Sequence, residues 1–91
     1  MTKKMSNIIA KYTEKLESAF FLFKTLETYD IKKLRKETYD LEVEFEKMIT
    51  SMMHYDLISD KDFGEAFDAV IINNLRTKYI DRAYDYIVNE A

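Results

Sequence analysis

Proline is absent from this chain of 91 residues, and glycine occurs once, at Gly64. Tight hairpin turns draw on both residue types, glycine for positive φ and proline for a preset φ. A hairpin-rich β architecture is thereby excluded, and helices with few connections are what remains. The length leaves room for one domain, residues 1–91, around a single modest core. Apolar residues at 47% and charged residues at 34% describe a folded helical chain, not a disordered one.

Hydrophobic spacing places the helices. Met5, Ile9, Tyr12, Leu16, Ala19, Phe23 and Leu26 alternate steps of four and three, which predicts a first helix from about Thr2 to Thr28. Ile31, Leu34, Thr38, Leu41, Phe45, Met48, Met52 and Tyr55 repeat the pattern in a second. Asp30 is its expected N-cap, with Tyr29 and Leu34 at the positions of a hydrophobic staple. The connection is short, so the two helices are antiparallel neighbours. A third helix starts at Ser59, which can cap the amide of Asp62, while Ile58 and Phe63 occupy the staple positions. Asp60 and Asp62 put negative charge at the positive end of its dipole.

Beyond that start the pattern conflicts with itself. At 100° per residue, Phe63, Ala66, Phe67, Val70 and Ile71 share one face. Ile72, Leu75, Tyr79, Ala83, Tyr86 and Ile87 share another, about half a revolution away. A straight helix cannot turn both faces to one core. Either the helix breaks near Asn73-Asn74 and a short fourth helix folds back, or it runs on and offers its last four turns to another chain. The expected fold is an all-α antiparallel bundle of three long helices, with a fourth if the break occurs.

Chemistry is scarce. Without cysteine there is no disulfide, thiolate nucleophile or thiolate metal site. His54 is the single histidine and falls off the apolar stripe, which predicts a solvent-exposed ring. Asp40, Glu42, Glu44 and Glu46 are spaced by two on a helix, so neighbours point about 200° apart and cannot converge on one ion. Asp56, Asp60 and Asp62 lack the glycine and the final glutamate of a calcium loop. One glycine cannot build a phosphate-cradling loop. Small helical chorismate mutases share this length, but they need interior arginines, and the first helix has none. No catalytic residue, cofactor or metal is expected.

Charge is segregated. Residues 1–36 carry nine basic and four acidic groups, net +5, whereas residues 37–68 carry two basic and ten acidic groups, net −8. Pairing between the first two helices accounts for this most simply. Lys32, Lys33, Arg35 and Lys36 form a basic cluster suited to nucleic acid, yet the next two turns are acidic and repel phosphate. Nucleic-acid binding is accordingly the second reading.

Two lysines near the N-terminus precede only Ile8-Ile9-Ala10 before Lys11 interrupts, so no signal peptide is expected. The longest apolar run, Ala19 to Phe23, is too short to span a bilayer. The expected location is the cytoplasm, and lysine-rich usage fits an AT-rich bacterial or phage genome. What remains is a large aromatic load of seven tyrosines and six phenylalanines. Phe21 lies on the polar side of the first helix, and Tyr79, Ile80, Tyr86 and Ile87 lie on the second face of the last segment. These five residues are the expected partner-binding set, for a second copy or another protein. The expected role is therefore non-enzymatic: an accessory, inhibitory, antitoxin or immunity-type factor, with a homodimer favoured. Class IIa bacteriocin immunity proteins are similar in size and helical architecture, a likeness no motif carries.

Overall fold

The computed structural model describes residues 1–90; Ala91 of the expected domain lies outside them. The fold is all-α, with three helical arms of which the last is bent. The first arm is α1 (Lys3–Thr25) and the second is α2 (Ile31–His54). The third arm consists of α3 (Asp60–Phe67), a π-helical turn (Asp68–Ile72) and α4 (Leu75–Asn89). The expected caps form as predicted: the Asp30 carboxylate accepts from the Lys33 amide at 3.1 Å, and the Ser59 hydroxyl from Asp62 at 3.0 Å. Thr2 caps α1 in the same way, accepting from Met5.

Helix α1 stops three residues earlier than its apolar spacing predicts. Glu27 takes a left-handed φ of 55°, and its amide donates to the Lys24 carbonyl. The end of α2 has the complete Schellman pattern: Asp56 (φ 57°) donates to Met53, and Leu57 donates to Met52. Glycine normally fills such positions, because a Cβ makes left-handed backbone costly. Here the one glycine sits inside α3, where an added Cβ would meet nothing within 4 Å. Replacing Glu27 by Gly should raise stability by about 0.5–1 kcal/mol, and Gly64→Ala should do the same by restoring helix propensity. Thermal unfolding of the two variants checks both.

The third arm runs alongside α1 in the same direction. The Met1 amino group reaches Glu65, Glu17 reaches Tyr79 and Arg82, and Lys24 lies over Tyr86. The arm therefore neither folds back nor continues straight. It breaks at Asn73-Asn74 and keeps its heading. A π turn accommodates one extra residue, which retards the helical phase by about 100°. Asn74, left-handed at φ 51°, ψ 50°, supplies the rest of the rotation. Both apolar faces thus meet one core. Ala66 is buried before the turn, Val70 within it, and Tyr79, Ile80 and Ala83 after it, in one core with Leu16, Phe20, Leu34, Phe45 and Ile49. No helix among the described residues is long and apolar enough to cross a membrane.

Candidate docking groove

Burial corrects most of the partner-binding set expected from the last segment. Tyr79 and Ile80 are each only 5% exposed, enclosed by the chain's own α1 and α2. Tyr86 and Ile87 are half-buried and pack against the same core, with the Tyr86 ring 5.9 Å from Tyr29. Phe21 alone stands out, 61% exposed. The five residues do not form one surface.

The buried tyrosine has a specific internal role. Its hydroxyl donates to Glu17 Oε1 at 2.7 Å, and Arg82 donates to the same oxygen at 3.0 Å. These hydrogen bonds, Tyr79's foremost, hold the Glu17 carboxyl below its usual range. Burial, reinforced by Glu17, pushes the Tyr79 hydroxyl up to about 12. Burial likewise raises the Tyr12 hydroxyl, with Glu42 adding to the effect. Both tyrosines favour the neutral form when folded, so their stabilisation is present below pH 10.0 and is lost as pH rises past it. Glu17 acts with the opposite sign: its contribution is present above pH 4.5 and fades as the carboxyl protonates below that. Tyr79→Phe should flatten both limbs of the stability–pH curve. Urea titrations across pH, with tyrosinate absorbance at the alkaline end, measure this.

The basic cluster stays exposed at the start of α2 and makes contacts within the chain. Lys33 pairs with Glu37 at 3.8 Å and Lys36 with Asp40 at 3.0 Å, both on α2 itself. Arg35 lies over the Tyr84 ring at 5.9 Å, and Lys32 is exposed. His54 is exposed and meets Tyr55 edge-on at 5.1 Å. Among the described residues no three histidine or acidic side chains gather where they could hold a metal ion.

A different surface is left open. The third arm covers one side of the α1–α2 hairpin, and along the other side runs a groove. Its widest part is a shallow, open depression of about 770 Å³ around Ala19, Leu22 and Leu41. It continues past Lys15 and Glu44 to Ile8, Phe45 and Met48 in one direction, and to Leu26 and Leu34 in the other. Leu22, Leu26 and Met48 are 51%, 54% and 41% exposed, although Leu26 and Met48 belong to the apolar stripes of their helices. The rims differ in sign. Lys11 and Lys15 edge the α1 side, with Glu14 beside them, and Glu37, Asp40 and Glu44 edge the α2 side. Lys15 and Glu44 meet across the groove at 3.2 Å. Sequence reading missed this surface because the stripes run full length; only the third arm's placement shows which part stays uncovered.

No protein-family model matches the chain, and comparisons with curated proteins and with solved structures gave no match either.

Proposed function

We propose that the protein is a non-enzymatic cytoplasmic factor that acts by associating with protein through the α1–α2 groove. The uncovered leucines and methionine along that groove carry the reading. Apolar side chains at helical spacing, edged by charge and open along the length of a helical hairpin, suit the reception of another helix. Met48 adds an adaptable surface. An accessory, inhibitory or immunity-type role is the kind of activity that binding of this sort supports. Nucleic acid is the weaker reading, since the two turns that follow the basic cluster on α2 are acidic and repel phosphate.

Photocrosslinking in the host tests the reading. A photoreactive residue at Leu22 or Leu41 should yield protein adducts, whereas the same residue at Lys78, outside the groove, should yield none. Equal adduct formation at all three positions, or none at any, overturns it.

A further inference from the structure

We infer that the groove's occupant is a second copy of this chain, docked about a two-fold axis parallel to the bundle. The inference rests on the groove being a protein-docking surface and adds the partner and its orientation.

The observation behind it is charge that the monomer leaves unused. With net +5 on residues 1–36 and −8 on residues 37–68, pairing between α1 and α2 should be extensive. Among the described residues a single ion pair, Lys15–Glu44, joins the two helices. Glu37 and Asp40 pair only with lysines one turn back on their own helix, in exposed contacts of little strength. Around its widest part the groove consequently keeps a net basic rim on α1, Lys11 and Lys15 against Glu14, and an acidic one on α2, Glu37, Asp40 and Glu44, with Lys33 further along.

Such a surface is complementary to itself in one orientation. A two-fold axis parallel to the helices lays α1 of one copy over α2 of the other, and residues level within one chain stay level across the interface. Lys15 and Glu44 touch, so they are level. Each Lys15 then faces the partner copy's Glu44, and the four groups form a ring of alternating sign. A two-fold axis across the helices would instead set basic rim on basic rim and acidic rim on acidic rim, which like-charge repulsion opposes. In the favoured orientation Leu22, Leu41 and Met48 of both copies meet inside a four-helix arrangement. The whole molecule is 18 Å across, and at helical rise α1 is about 35 Å long. Those dimensions bound the footprint at about 600 Å², the lower end of the range for stable interfaces, roughly 1,200 Å² over both partners.

Sedimentation equilibrium of the full chain and two charge-reversed variants tests the inference, with circular dichroism confirming that each variant stays helical. At about 100 μM the wild type should have twice the 10.9 kDa mass, and added salt should weaken it. Lys15→Glu and Glu44→Lys should each weaken self-association at least about tenfold. Mixing these two variants should restore a dimer, because each then offers the other a rim of opposite sign. A wild type that stays at 10.9 kDa at about 1 mM overturns the inference. So does a dimer that neither variant weakens. If the chain is monomeric yet Leu22 crosslinks to a different protein, the second copy is rejected and the docking reading stands. If no crosslink forms, both fall.

Discussion

Deleting Ile72 should abolish the docking of α4 while leaving the α1–α2 hairpin helical. Ile72 is 60% exposed, so its side chain contributes little burial, and Ile72→Ala should be nearly neutral. The deletion acts through the backbone. It removes the extra residue of the π turn and rotates everything after it by about 100° relative to α3. Tyr79, Ile80 and Ala83, now buried, would swing away from Leu16 and Phe20, and the Tyr79–Glu17 hydrogen bond would be lost. Two large side chains and one hydrogen bond together put the loss at about 4–6 kcal/mol. That is most of the stability a domain of this size has. Urea unfolding should show a lower midpoint and also a shallower slope, because the undocked arm exposes surface before global unfolding begins. An unchanged slope and midpoint would mean that the π turn does not set the phase of α4.

Leu16→Ala should have the next largest effect. Leu16 is fully buried, midway along α1, where the third arm and α2 both close over it. Truncation loses the transfer free energy of the removed atoms and leaves a cavity that rigid neighbouring helices fill poorly, at a cost of about 3–4 kcal/mol. Leu22→Ala, six residues along the same helix but half exposed in the groove, should cost under about 1 kcal/mol. The contrast between two leucines on one helix, read by urea midpoint, separates the core side of α1 from its groove side.

Much of the fold was legible because it depends on local signals. Asp30 and Ser59 cap as expected, and Met5, Tyr12, Leu16, Ala19 and Phe23 line the core; a break near Asn73-Asn74 was one of two outcomes the sequence left open, and the helix does break there. The route past the break was not legible. A π turn is made of ordinary apolar residues, Ala69 to Ile72 among them, and its defining bond from the Asn73 amide to the Asp68 carbonyl has no residue-type signature. Reading α4 as an external face followed from assuming uniform helical phase. The groove was hidden for a related reason: Leu26 and Met48 continue the stripes of their helices, and only the topology leaves them uncovered. Charge segregation was visible from the start, but pairing of adjacent helices could have absorbed it. Among the described residues one pair, Lys15–Glu44, does so.

The subdivided third arm has a bearing on dynamics. Helices of 8 and 15 residues are too short to persist on their own in water, whereas α1 and α2, at 23 and 24, support each other across a short connection. The hairpin can thus serve as a template on which the remaining segments condense. Amide protons of α4 should exchange with deuterium through a partial opening that spares the centres of α1 and α2. Such an opening would bare the side of the hairpin opposite the groove, so the molecule can loosen on one flank while the other keeps its shape.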